Sequence, residues 1–446
     1  IGSRGALAAL VAAAAAWGAA RIPRRSRAGR QALWAGAALL VLAAAVAVAV
    51  RFEAFRDPYR FDRIRIWKAG LEAAADHPIL GMGPGMFSRH GFRYNFPLER
   101  EPFRFSKAPG SVHSTYLEAL VETGPAGLGA AVALIVLAAA GAARRGRALQ
   151  GEAGMGTAMA LVAVSAQGIV DMPFHVPAVT LTLVILAAPI LTPRCAREAP
   201  LFARLSTAGA GGRAAVATVG ALLAALYAGG VALPYAAHAA FERGMRASAP
   251  GRPAAGLDRA VDLNRWNPLY PASRADWIRR SPGPLDPASL ARAHLDLRAA
   301  RRLDPGNPDH LLALAQLHAR ACFDIGASAA SVARVESYYR AAIALGRKDP
   351  RPMTGLAVFL MDFGRNEEAA GHLRAATALE PRYAGAWLAL AGALARAGDA
   401  EGARAALRRL EAVREELGRF VPRNGYERDL LRLDPRLARE LELPLR

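Results

Sequence analysis

Lysine is nearly missing from this chain. Lys68, Lys107 and Lys348 are the only three in 446 residues, although Lys and Arg together number 57 and the formal net charge is +20. The basic charge is therefore almost wholly arginine, and it alternates with long apolar runs instead of following one face with aromatics between. That pattern excludes nucleic acid as the expected partner and reads as topogenic arginine in a biased composition. Cysteine is equally scarce. Cys195 and Cys322 are too few for a disulfide framework, and neither stands in Cys-x-x-Cys spacing. A nucleotide-binding glycine loop is missing as well: "GMGPGMF" (81 to 87) has Met86 where Gly-x-Gly-x-x-Gly needs its last glycine, so it reads as a tight turn. No methionine or signal peptide opens the chain. It begins at Ile1 on the flank of an apolar run, as an internal piece would, and further N-terminal spans are expected before it.

What is abundant is apolar sequence, at 53% of residues. Six runs approach the length of a bilayer core, near 5–20, 31–50, 120–142, 153–170, 176–192 and 214–233. Arginine clusters at 21–30, 143–147 and 194–213 all fall on one side of these runs, which the positive-inside rule makes cytoplasmic. The loop 51–119, the turn "DMPFHVP" (171 to 177) and everything after about 234 then face outward. Loop 51–119 is too long for a connector, and its first part, Tyr59 to Ala75, predicts a helix at the membrane surface with Ile64, Trp67, Leu71 and Ala75 on one face.

Beyond 250 the pattern changes to alanine-rich amphipathic helices. Leu360, Gly364, Ala369 and Leu373 recur as Leu394, Gly398, Ala403 and Leu407, a spacing of 34 residues that is the tetratricopeptide period. Such helix pairs stack into a solenoid, because no pair can bury its apolar face alone. The expected fold is therefore all-α: a polytopic transmembrane helical bundle followed by an α-solenoid. Spans occupy 1–50 and 120–233, an extracytoplasmic active-site loop occupies 51–119, the solenoid 250–420, and a C-terminal tail 421–446.

Chemistry is sought in "SVHSTYLEALVETGPAGLGA" (111 to 130). Thr115 and Glu118 predict a capping box starting a helix at Tyr116, with His113 just ahead of it, beside unpaired N–H groups and the positive end of the helix dipole. A neutral imidazole there can take a proton from a hydroxyl. His77, His90 and His175 show no mutual spacing for a metal site, and neither metal nor cofactor is expected.

From His113 the sequence runs His-Ser, nine residues, Gly124, two residues, Gly127, and so resembles the motif of the O-antigen ligase and Wzy-type polymerase family. "RIRIWKAGLEAAADHPILGMGPGMF" (63 to 87), "GSRGAL" (2 to 7) and "VDMPFHVPA" (170 to 178) are similar to other segments of that family. Leu128 departs from the threonine common in the ligase version. The resemblance implies a metal-independent glycosyltransferase of the bacterial inner membrane. Its donor would be a glycan on undecaprenyl diphosphate, taken at the outer face, and its acceptor a hydroxyl of lipid A core or of another glycan. The chain has no Asp-x-Asp pair, the usual metal clamp for nucleotide sugars. A protein O-oligosaccharyltransferase shares motif and donor and takes a protein hydroxyl instead. Outside enzymes, the alternative is a membrane-anchored repeat scaffold for envelope polysaccharide assembly, and either way the solenoid implies a protein partner.

A diphosphate leaving group requires a fixed cation, which arginine supplies with a bidentate fork. Arg63, matching the family's loop arginine, is the first candidate for catalysis and diphosphate binding, and Arg4 the second for binding. His113 is the expected base or orienting group. Asp171 is a candidate for orienting an arginine or the acceptor and equally a turn-former before Pro173. Glu122 fits the family pattern and fits a plain helix face as well.

Overall fold

A computed structural model of the chain describes residues 60–98, 101–106, 109–146, 152–176, 179–182, 184, 210–247 and 255–442. Among these residues every regular element is a helix. The chain divides into two compact units, one of residues 1–94 and 109–214, the other of 95–108 and 215–446.

In the first unit, α1 (Arg60–Asp76) leads through a turn into the short α2 (Met86–His90) and a 3-10 turn, Gly91–Tyr94. α3 (Thr115–Gly146) follows, then α4 (Glu152–Gln167) and a 3-10 turn, Pro173–His175. α3 is two helices merged across a kink at Gly124, where φ is 68° and ψ is −175°; Pro125 follows and cannot continue the ladder behind it. The expected surface helix is present, with its faces sorted differently from the sequence pattern. Ala69, Gly70 and Ala73 are buried, while Ile64 and Leu71 are exposed and continue into exposed Ile79 and Leu80. Small residues face the protein because α3's approach is close, and that leaves the large apolar ones outside.

One helix among the described residues is long and apolar enough to cross a membrane, Thr115–Ala138 within α3, with Leu134 70% exposed. The other runs give no second such helix among the described residues. α4 has 16 residues, a length of about 24 Å that falls short of a ~30 Å hydrocarbon core. Run 214–233 lies in a helical stretch without a gap, made of α5 (Ala210–Tyr227), a π-helical turn at Ala228–Ala232 and α6 (Leu233–Ala247). Runs 5–20 and 31–50 and most of 176–192, together with Arg4, lie outside the described residues.

The second unit continues from α6 as successive antiparallel helices: α7 (Ala255–Leu263), α8 (Leu269–Arg280), α9 (Pro287–Leu303), α10 (Pro308–Asp324), α11 (Ala329–Leu345), α12 (Arg351–Asp362), α13 (Asn366–Leu379), α14 (Ala384–Arg396), α15 (Ala400–Leu417), α16 (Gly425–Leu431) and α17 (Pro435–Glu440). Side-chain caps start many of them. Asp286, Asn307, Asp399, Asn424 and Asp434 each accept a backbone N–H of the following first turn, and Pro287, Pro308 and Pro435 occupy positions where the missing N–H costs nothing. Both period-marking glycines, Gly364 and Gly398, take positive φ of 75° and 85° at the turns within helix pairs. The apolar partners of the 34-residue period, Leu360, Ala369, Leu373, Leu394 and Ala403, are buried in one continuous core that also takes in Leu430, Leu437 and Ala438.

Candidate active site

His113 stands in a left-handed backbone conformation with φ of 54°, exposed, immediately ahead of α3. A non-glycine residue held at positive φ is uncommon and carries strain that neighbouring contacts must hold in place. Those contacts are visible. On one side, Val112 is fully buried and lies against Gly70 of α1, where a Cβ would come within 2.7 Å of its Cγ1. Its N–H donates to the buried Glu118 carboxylate at 3.1 Å. On the other side, Ser114 begins the helix, its Oγ accepting from Leu117 N–H at 3.4 Å and its carbonyl from Glu118 N–H at 2.9 Å.

The cap is thus one residue earlier than the expected capping box. Thr115 is drawn away by the turn that follows α4: its N–H donates to the Gly168 and Asp171 carbonyls at 2.8 and 3.1 Å, and its hydroxyl to the Asp171 carbonyl at 3.2 Å. Glu118, the other half of the box, turns back to Val112 instead. The first-turn N–H groups of Thr115 and Leu117 are therefore occupied.

Arg63 of α1 reaches the same turn. Its Nη1 donates to the Val170 carbonyl at 2.8 Å, across 107 residues of sequence, while the residue remains exposed. No carboxylate among the described residues pairs with it. A guanidinium has five N–H donors, so one bond to a carbonyl orients the group and leaves its charge uncompensated. One turn further along α1, the Trp67 indole N–H is buried with no acceptor among the described residues. The turn 168–171 thus receives Arg63 through Val170 and Thr115 through Gly168 and Asp171, which joins the candidate cation to the helix start beside the candidate base.

The Asp171 carboxylate itself accepts from the N–H of Met172 at 2.9 Å, within its own turn. Glu122 serves a different segment. Its carboxylate accepts the N–H groups of Gly85 and Phe87 at 2.8 and 3.3 Å, and its carbonyl that of Gly83 at 2.9 Å, which pins the 81–87 turn onto α3 just before the kink. Gly124 is needed there twice over. Its φ is positive, and a Cβ would overlap the Ile79 carbonyl.

His175 was dismissed as a metal ligand by spacing and is placed here by the fold. Its Nε2 lies 3.9 Å from Glu118 Oε1, at the edge of the same junction. No local signal ties residue 175 to residue 118; only the apposition of the 173–175 turn with α3 does.

Residues 1–132 match the family model described as O-antigen ligase, and residues 360–416 match that of the tetratricopeptide repeat. The first match contains Arg4, Arg63, His113 and Glu122, and ends before Asp171. No curated protein matches the chain. Among solved structures, a crystal structure of MamA is 13% identical, covering 44% of this chain and 99% of that one with a TM-score of 0.33. YrrB, described as a tetratricopeptide protein with an unusual peptide-binding site, is 17% identical over 36% of this chain and 76% of its own, at 0.27. Yeast Tom70 is 15% identical over 74% and 66%, at 0.31.

Proposed function

We propose that the chain is a membrane glycosyltransferase of the O-antigen ligase and polymerase type. It moves glycan from a polyprenyl diphosphate such as undecaprenyl diphosphate to a hydroxyl acceptor, at the outer face of a bacterial inner membrane crossed several times. The ligase-family match supports a role in envelope polysaccharide assembly. The observation that carries the finer reading is the shared 168–171 turn: an uncompensated, oriented arginine and a strained, exposed histidine converge on one junction.

The acceptor oxygen attacks the anomeric carbon of the donor sugar, and the bond from that carbon to the diphosphate oxygen breaks. The acceptor proton passes to His113, which can take it because its imidazole projects from the helix start into solvent-accessible space. Negative charge builds on the departing diphosphate, where the free N–H groups of Arg63 stabilise it without reorganising, since Val170 already holds the group. Arg4 is the second diphosphate ligand in this reading, and Glu122 and Asp171 support the turns. The exposed apolar stripe of Ile64, Leu71, Ile79 and Leu80 suits a surface resting in lipid beside a lipid-linked donor.

The test is transfer from purified polyprenyl-diphosphate glycan by the protein in lipid nanodiscs, with lipid A core, free glycan and a hydroxyl-bearing protein as competing acceptors. His113→Ala is expected to abolish transfer to the preferred acceptor without reducing membrane insertion. Unchanged transfer by that variant would remove the histidine from the reaction, and glycosylation of the protein alone would assign the protein O-oligosaccharyltransferase reaction. No transfer to any acceptor by the wild-type protein would leave a scaffold.

A further inference from the structure

Residues 95–98 and 101–106 belong by sequence to the loop between Arg63 and His113, yet they fold with the repeat unit. The contacts are those of a peptide seated on a binding surface. Phe103 is fully buried in the repeat core and meets Phe420 edge to face at 5.7 Å. The N–H of Arg104 donates at 2.7 Å to Glu380, a carboxylate that is itself 0% exposed. The Arg104 guanidinium donates to the Leu379 carbonyl at 3.2 Å. From the repeat side, Arg382 donates to the carbonyls of Glu101 and Pro102 at 3.0 and 3.3 Å, Asn424 to that of Ser106 at 3.4 Å, and Lys348 to that of Asn95. Arg423 completes the set with an ion pair to Glu101 at 2.9 Å.

Recognition of this kind is specific. A buried aromatic anchor supplies apolar area, while donors at fixed positions read successive backbone carbonyls, and a buried acceptor reads one N–H. Glu380 would be an unpaired buried carboxylate without that N–H and the neighbouring one of Arg382, and burial pushes its pKa up while those bonds draw it down. The segment is also preshaped: Leu98 N–H bonds the Arg104 carbonyl at 2.8 Å and Asn95 Nδ2 the Phe105 carbonyl at 3.1 Å. Preshaping lowers the ordering cost of being bound.

We propose that the ligand of the repeat solenoid is internal: the surface formed by Lys348, Glu380, Arg382, Phe420 and Arg423 binds residues 95–98 and 101–106 of the same chain and anchors the loop that leads to His113. This goes beyond the transferase reading and holds whether or not glycan is transferred. The test is hydrogen exchange on the whole chain in nanodiscs. In the wild-type protein the Arg104 amide should be protected. Phe103→Ala, a change on the loop side, should speed its exchange by about tenfold or more, as loss of a buried aromatic anchor opens the contact, while amides of α13 to α15 keep their rates. Glu380→Gln, which keeps shape and removes the charge that holds the N–H, should speed it as well. If Phe103→Ala loosens the repeats too, Arg382→Ala at the solenoid surface decides in its place. An Arg104 amide that exchanges freely in the wild-type protein, or whose rate none of these substitutions changes, overturns the proposal.

Discussion

Arginines are held differently in the two units. In the repeat unit, several bridge helices through carboxylates. Arg274 bridges Asp258 and Asp296 at 2.8 and 2.6 Å, Arg396 pairs with Glu440 at 2.6 Å, and Arg351 sits among Asp309, Asp349 and Asp429. In the ligase-like unit, Arg63 ends on a carbonyl and keeps its charge. Neutralised arginines join helices to one another, whereas an oriented arginine with charge to spare is suited to an anionic ligand. A carbonyl contact alone does not mark a site, since Arg243, Arg404 and Arg439 each reach a carbonyl four residues back in their own helix; Arg63 is set apart because its carbonyl lies 107 residues away.

Glycine divides along the same line. Gly398 has open space around it and is required only for its φ, while Gly124 combines positive φ with backbone contact at the Ile79 carbonyl. One serves a turn that recurs with the repeat, the other a close approach made once.

The largest expected effect falls on the spare charge. Arg63→Ala should lower transfer by about 10²–10³-fold, the loss seen when one preorganised charge-stabilising donor is removed, and Arg63→Lys should restore only part, since lysine lacks the fork. Equal activity of Ala and wild-type protein in the nanodisc assay would erase the distinction between the units' arginines. Next comes Gly124→Ala, which must both strain φ and displace the Ile79 carbonyl. A cost of about 2–3 kcal/mol to the ligase-like unit is expected, read as a lower temperature of tryptic cleavage there. Gly398→Ala, with no neighbour to displace, should cost only about 1 kcal/mol in the repeat unit, and Gly398→Asn less. Reversal of that order would show that the two turns do not differ as described.

The last expected effect is one of pH and is read in the repeat unit. His318 is buried on α10, its Nε2 2.9 Å from His294 Nδ1, and its pKa is lowered to about 4 by burial, with His294 and Arg334 adding to the shift. An unfolded chain takes up this proton below about pH 6.5, and the folded chain resists until about 4. Stability is therefore complete above the unfolded value and is lost as pH falls between the two. Melting of the repeat helices, followed by circular dichroism, should shift downward on acidification, and His318→Gln should flatten that shift. A melting temperature that does not depend on pH would mean the pair is more hydrated than its burial implies.

Much of the repeat unit was legible because its determinants are local. The spacing of Gly364 and Gly398, the caps Asn307 and Asp399 and the prolines Pro287 and Pro308 each act within a few residues of where they stand. The candidate site was legible in its parts: His113 ahead of a helix start, Arg63 on a helix, Gly124 in the same motif as His113. Its assembly was not. Thr115 was read as the cap because a capping box is a pattern over four residues, and nothing in those four shows that Gly168 and Asp171 compete for it. Glu122 looked like a helix face, and its partners at Gly85 and Phe87 lie more than thirty residues away.

Sequence alone therefore determined the helical character of the described residues and the 34-residue period of the tail, because turn glycines and apolar periodicity are set by neighbours along the chain. Only the tertiary structure decided that Arg63 meets the Val170 carbonyl, that α1 turns its small residues inward against Val112, and that residues 95–98 and 101–106 seat on Glu380 and Phe420. Each of these depends on surfaces brought together from distant parts of the chain, where shape and unsatisfied hydrogen-bonding groups choose the partner and no periodic signal in the sequence records the choice.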